Sequence, residues 1–234
     1  MPPEEPTLDP GADDAADRFA QLAVELHDTS GVEDTVQAVV QFALHALNCS
    51  HAGVALVVHG RPEIPTVTDP VVAEIYQLQT DSGDGPLVES MRDRSTLLIR
   101  DTATEARWPD WAAKVLAVGI GSVLDVPLTT SAGTVGVLGL YSTAPDAFGR
   151  DDEAIAHILA RHASVAVASA RQEATLAQAI DARMSVGQAM GILMERFDLG
   201  SDRAFAILRR YSQDTNTKLR EVAQQLIDTR KLPH

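Results

Sequence analysis

The chain has 234 residues, 45% of them apolar, a single cysteine and a formal net charge of −14. Length and apolar share allow one substantial core and a smaller one, hence one or two domains, and no apolar stretch approaches the ~20 residues of a membrane-spanning helix. One thiol, Cys49, excludes an internal disulfide, and Met1-Pro2-Pro3-Glu4-Glu5-Pro6 lacks the features of a secretory signal, so a reducing cytoplasm is the expected location.

Residues 1–13, rich in Pro, Glu, Asp and Gly, read as a disordered tail. Two amphipathic helices follow, one through Phe19, Leu22, Ala23 and Leu26 and one through Val36, Val39, Val40, Ala43, Leu44 and Leu47, divided at Ser30-Gly31. His51 to His59 alternates as a strand, and Ile64 to Thr68 is a candidate for the next. A helix is expected beyond Asp69-Pro70, then a loop over residues 81–86, a short helix from Leu87 to Arg92 and a strand from Thr96 to Asp101. A further helix opens at Glu105-Ala106-Arg107-Trp108-Pro109-Asp110-Trp111 and runs to Val118, with Trp108 and Trp111 as its staple and cap or as the lining of a pocket mouth. Strands Ser122–Thr129 and Thr134–Tyr141 are joined by the hairpin turn Thr130-Ser131-Ala132-Gly133. Asp151-Asp152 caps a long helix that contains no Pro or Gly before Gly187.

That helix carries Ile155, Ile158, Leu159, His162, Val165, Ser169, Gln172, Leu176 and Ile180, a spacing near 3.5 that suits a parallel coiled coil between two protomers, while Ala163, Ala166, Ala168 and Ala170 allow close approach of another helix. Packing on the protein's own sheet accounts equally well for Ile155 to Val165. Two further helices follow, one with Ala204, Phe205, Leu208 and Tyr211 inward and one with Leu219, Val222, Ala223, Leu226 and Ile227. Gly200 is read as the C-cap and Ser201 as the N-cap between them and the long helix.

The charge is unevenly placed. From Arg171 onward 10 Lys and Arg stand against 8 Asp and Glu, about +2, which leaves about −16 on the first 170 residues. Bulk acidity opposes polyanion binding, but the C-terminal part is free of it, and a basic pair such as Arg209-Arg210 suits either a small RNA or a solvated helix face.

Gly83-Asp84-Gly85-Pro86 before a helix, Arg107-Trp108-Pro109, the run Gly121 to Leu128 and the run Gly136 to Ser142 together resemble a GAF domain over residues 14–170. The resemblance implies a six-stranded antiparallel sheet with a ligand pocket on one face and helices on the other. Gln188 to Met194, Ala204 to Arg209 and Lys218 to Ala223 resemble an ANTAR domain, a three-helix RNA-binding module of bacterial antitermination regulators, over residues 171–234. The fold class expected is therefore α+β: a GAF-type sheet with helices, a connector helix spanning residues 150–180, and an all-α three-helix bundle.

The resemblance implies RNA hairpins in nascent transcripts as partners, contacted by Arg183, Gln188, Arg209, Ser212, Gln213, Asn216, Lys218 and Arg220, with Tyr211 weighed as a stacking residue against core packing. Met190 stands where many members carry Lys. The connector implies a homodimer, and the sheet domain a small-molecule ligand of unknown identity. A bilin lacks its thiol, because Leu87 occupies the place of the cysteine in many relatives, and the cyclic-nucleotide signature is absent. His51, His59, His157 and His162 are read as surface or packing residues rather than haem ligands, and Cys49 as a structural thiol.

No nucleotide loop, nucleophile elbow, zinc helix or CxxC pair is present, so neither a catalytic nor a metal site is expected. A phosphorylated receiver is also rejected: Asp101 follows a strand, but Lys114, the only Lys before residue 218, does not. A sulfoxide reductase of this fold needs several cysteines. The competing reading is a ligand-binding or interaction module whose C-terminal helices serve assembly only.

Overall fold

The computed structural model describes residues 19–26, 28–47, 49–58 and 61–231; the expected N-terminal tail and His59 lie outside them. The chain divides after Arg171 into two compact units. In the first, residues 19–26 form α1, followed by α2 (Val32–Ala46), β1 (His51–Val58), β2 (Arg61–Val67), α3 (Pro70–Ser82), α4 (Pro86–Asp93), β3 (Leu97–Ile99), α5 (Pro109–Ala117), β4 (Ser122–Thr130) and β5 (Gly133–Ser142). Helix α6 (Arg150–Phe197) begins in this unit and continues into the second, which adds α7 (Ser201–Asp214) and α8 (Leu219–Thr229).

The strands pair in the order β2-β1-β5-β4-β3, antiparallel throughout. Among the described residues the sheet has five strands, not the six expected. Residues 100–108 supply no sixth because local acceptors take their N–H groups: Asp101 binds Ala103 N at 2.9 Å and Glu105 binds Arg107 N at 2.7 Å. Strand β3 is only three residues long for a related reason, since Arg100 O accepts from Asp146 N and Thr102 N donates to Gly121 O outside the ladder.

Both faces of the sheet are covered, so β1 is buried on both sides rather than alternating with solvent. Ala52, Val54 and Leu56 enter one core with α1, α2 and the start of α6, while Ala55 enters the other with α3, α4 and α5. Helix α5 starts at Pro109, four residues later than expected: Pro is favoured at the first helical position, and it holds Trp108 at φ −132° and ψ 71°, outside the helix. Trp108 makes no side-chain cap; it and Trp111 are core residues, edge-on at 6.2 Å.

The small residues of α6 serve the sheet. Ala156, Leu159, Ala160, Ala163 and Val167 pack into the first core, while Ile158 and Val165 face solvent. In the second unit Ala189 and Leu193 of α6 meet Ala204, Leu208, Val222, Ala223 and Leu226. Asp198, not Gly200, takes the left-handed position that ends α6, at φ 52°, with Leu199 N bonded to Met194 O at 3.1 Å. Asp and Asn enter the left-handed region more readily than other non-glycine residues, and Gly200 becomes the N-cap of α7.

Candidate RNA interface and sensor core

On α7, Phe205, Arg209 and Gln213 recur at every fourth position and form one exposed row. The row leads to the turn before α8, which side chains hold tightly. Ser212 Oγ donates to Thr217 O at 2.7 Å, Thr217 N donates to Ser212 O at 3.1 Å, and Thr215 Oγ1 donates to Tyr211 O at 2.6 Å. Asn216 sits at its apex with φ 50°. Lys218 O accepts from Glu221 N and Val222 N, which starts α8 and leaves the ammonium unused by the helix.

Arg209, Asn216, Lys218 and Arg220 are all exposed. Among the described residues the three cations hold no ion pair, whereas Arg210 meets Asp214 at 3.4 Å. The end of the bundle formed by α7 and the start of α8 thus offers fixed backbone geometry with free cations, an arrangement suited to phosphate and to unpaired bases.

Of the other expected residues, Ser212 holds the turn at that end, and Arg183 and Gln188 stand apart from it. Ser212 is half-buried with its hydroxyl committed to the turn. Arg183 lies on α6 before Val186, the first residue that packs on the bundle core. Gln188 lines a groove of about 690 Å³ with Gly191, Arg196, Ile227 and Arg230, where Arg196 Nη1 donates to Arg230 O at 2.7 Å. Tyr211 is half-buried against the core. The exposed aromatic rings are Phe205, 40% exposed, and Phe197, 55% exposed with the Arg196 guanidinium 5.7 Å from its centroid. Phe205 was expected inward, yet it lies about 100° around α7 from Ala204, at the edge of the apolar stripe. That offset was the available signal.

The first unit buries a polar cluster between the sheet and α3. Asp125 on β4, Tyr141 on β5 and Tyr76 on α3 are fully buried; the two phenol hydroxyls lie beside each other, and neither oxygen of the Asp125 carboxyl has a hydrogen-bond partner. The two rings meet edge-on at 6.1 Å. Burial pushes the Asp125 carboxyl up to about 8 and raises both phenols above their ordinary value, with the neighbouring Asp125 adding to the effect. Asp125 was not among the residues expected to function; a lone acid in the otherwise apolar run Val123 to Leu128 was the available clue.

The remaining candidates have structural partners. Cys49 Sγ donates to Ala43 O at 3.6 Å, and burial pushes its thiol up to about 11, which disfavours the reactive thiolate. His157 contacts Thr96 Oγ1 at 3.3 Å, and His162 stacks on Phe19 at 6.2 Å. Leu87 is buried, its N–H bound by Gln79 Oε1 at 2.8 Å while Gln79 Nε2 donates to Ile75 O, so one buried amide joins α3 to α4. Asp152 Oδ2 accepts from Gly149 N at 2.9 Å at the start of α6.

Residues 29–168 match the family model of the GAF domain, and residues 174–227 match that of the ANTAR domain. The chain belongs to the GAF domain family and carries an ANTAR domain after it. ANTAR implies an RNA-binding antitermination regulator and GAF a sensor domain.

Solved structures share the GAF fold. A GAF domain from a phosphoenolpyruvate-protein phosphotransferase of Coxiella burnetii aligns at 16% identity and TM-score 0.55, covering 70% of this chain and 98% of its own. Free methionine-R-sulfoxide reductase from Neisseria meningitidis, in complex with its substrate, aligns at 15% identity and TM-score 0.55, covering 74% and 99%. A domain of a sensor histidine kinase protein from Sinorhizobium meliloti aligns at 16% and 0.54, covering 64% and 99%. No curated protein matches the chain. Among the described residues no helix is long and apolar enough to cross a membrane.

Proposed function

We propose that this GAF–ANTAR protein binds paired hairpins in nascent RNA through the α7–α8 end of its ANTAR domain, stabilises an antiterminator, and is controlled by a signal received in its GAF domain. The observation that carries the reading is the set of exposed cations Arg209, Lys218 and Arg220, which hold no ion pair among the described residues, around the hydrogen-bonded turn at Asn216. Arg and Lys neutralise phosphate, Gln213 and Asn216 read base edges, and Phe205 offers a ring to an unstacked base. Arg183 and Gln188 are assigned to flanking backbone, and Ser212 to holding the turn.

Dimerisation through α6 belongs to the same proposal. At 3.6 residues per turn Ile158, Val165, Leu176 and Ile180 fall within a stripe of about 60°, opposite the alanine face that packs on the sheet. Val165 is 65% exposed and Leu176 62%. Two copies joined along that stripe present two ANTAR domains to two hairpins, which raises apparent affinity through effective concentration.

The test is a gel shift with a two-hairpin leader RNA and the Arg209→Ala, Lys218→Ala double variant. Each lost phosphate contact lowers the salt slope by about 0.7 on single-stranded RNA, so the double variant is expected to bind more weakly with a slope shallower by about 1.4. Equal binding of the wild type and the variant across unrelated RNAs refutes it.

A further inference from the structure

Nothing in RNA binding uses the buried polar cluster of the first unit. Gly53, Gly139 and Asp125 lie side by side on β1, β5 and β4, Gly53 paired with Gly139 and Gly139 with Asp125. Two neighbouring glycines leave the sheet bare across two strands, and Tyr76 fills the gap from α3. A Cβ at Gly53 would lie 3.1 Å from Tyr76 Cε2, and one at Gly139 would lie 2.5 Å from the Tyr76 hydroxyl, 2.7 Å from the Tyr141 hydroxyl and 3.0 Å from Asp125 Oδ1. Three buried oxygens therefore converge on one glycine, and neither oxygen of the Asp125 carboxyl has a hydrogen-bond partner. Buried polar groups in native proteins are almost always satisfied, and a half-satisfied set is less stable than an apolar one.

We propose that this glycine-floored cluster recognises a small organic cation, an ammonium or amidinium group on a compact apolar body, which displaces the Tyr76 side chain and takes Asp125 as its counter-ion. The surrounding core is made of apolar and aromatic side chains, Tyr76, Trp108, Trp111 and Tyr141 among them, and among the described residues no Lys, Arg or His is buried in it; Arg107 reaches only the ring of Trp108 and is paired with Glu105. An anion would find no positive charge here, and a neutral molecule would leave the Asp125 carboxyl holding its proton in an apolar site. A cation supplies both the charge and the donors that Asp125 lacks, and aromatic faces favour it further.

Helices α3 and α5 carry Tyr76 and Trp111 into the same core. Their outer sides bound a groove of about 490 Å³ floored by Ile75 and Leu78, with Glu74 and Asp81 opposite Lys114. The titratable groups facing Asp125 are Tyr76 from α3 and Tyr141 from β5. Because the cation binds the carboxylate, binding expels the proton that Asp125 holds below about pH 8, and affinity rises with pH up to that point.

The inference names the signal class for the sensor reading above and rests on that reading only for its consequence at RNA. The full chain is titrated with phenethylammonium and benzamidine, with phenylacetate and phenethyl alcohol as anionic and neutral counterparts, and followed by tryptophan fluorescence. The expected result is saturable binding of at least one cation, tightening about tenfold from pH 6 to pH 7, weakened at least about tenfold in Asp125→Asn, with neither counterpart titrating. Tyr76→Phe keeps the core ring and verifies that a folded variant is measured. Failure of both cations to bind, equal binding by Asp125→Asn, or equal binding of phenylacetate overturns the site. RNA gel shifts on the same samples separate the two readings: RNA binding without cation binding removes only the site, whereas cation binding that leaves RNA affinity unchanged supports the site and removes the coupling.

Discussion

Replacing Asp125 with Asn removes a proton that the folded GAF domain holds and the unfolded chain releases. In the fold burial raises the carboxyl from 3.8 to about 8. Below pH 4 both states are protonated and the group adds no pH dependence. Between the two values only the folded state keeps the proton, so stability falls as pH rises, by about 1.4 kcal/mol per pH unit. Above pH 8 both states are ionised and the slope vanishes. From pH 5 to pH 7.5 the wild type should lose about 3 kcal/mol relative to Asp125→Asn, and the variant should be the more stable protein at neutral pH.

Subtracting the variant removes the contribution of every other carboxylate. Urea unfolding followed by tryptophan emission is the appropriate assay, because the chain has two Trp residues and both lie in the GAF core, so the signal ignores the ANTAR bundle. A difference of that size exceeds the extrapolation uncertainty of about 10–15%. Parallel stability profiles for the two proteins from pH 5 to pH 8 would refute the assignment of a proton to this cluster.

Gln79→Ala should cost about 1–3 kcal/mol in the same assay, since it strands the buried N–H of Leu87; a loss within error would show that the amide link between α3 and α4 is dispensable. Leu176→Glu with Ile180→Glu should convert a dimer to a monomer in sedimentation while leaving the tryptophan-reported unfolding unchanged, because both side chains are exposed in a single chain; a persistent dimer removes the α6 interface. Arg209→Ala should weaken RNA binding more than Arg210→Ala, whose guanidinium is partly engaged by Asp214; the reverse order in a gel shift counts against the proposed row on α7. Cys49 should react with a disulfide reagent at pH 8 far more slowly than in urea, given a thiol pushed up to about 11; equal rates would mean that the thiol is not held as described.

Much of the fold was legible because local chemistry imposes it. Pro70 and Pro86 start helices, Gly31 separates α1 from α2, and Gly133 closes the β4–β5 hairpin, each through backbone preferences that act within a few residues. The apolar positions of α7 and α8 likewise marked the core of the bundle apart from Phe205, which lies off the stripe. Less could be read where a residue's partner is distant in sequence. Whether the α6 alanines met the sheet or a second helix depended on which face the sheet covers, and the end of α6 fell to Asp198 because its side chain accepts the left-handed turn.

Sequence alone determined the two domain families, the order of the elements and the neutral, cation-bearing C-terminal part, because periodicity, turn residues and charge count are properties of neighbouring positions. Only the tertiary structure decided which polar residues are free and which are spent. It committed Ser212 to a turn, paired Arg210 with Asp214 while Arg209 holds no ion pair among the described residues, and brought Asp125, Tyr141 and Tyr76 together over Gly139 from three separate elements. Burial and hydrogen bonding depend on what lies across space, and a side chain's chemistry is fixed by that environment rather than by its place in the chain.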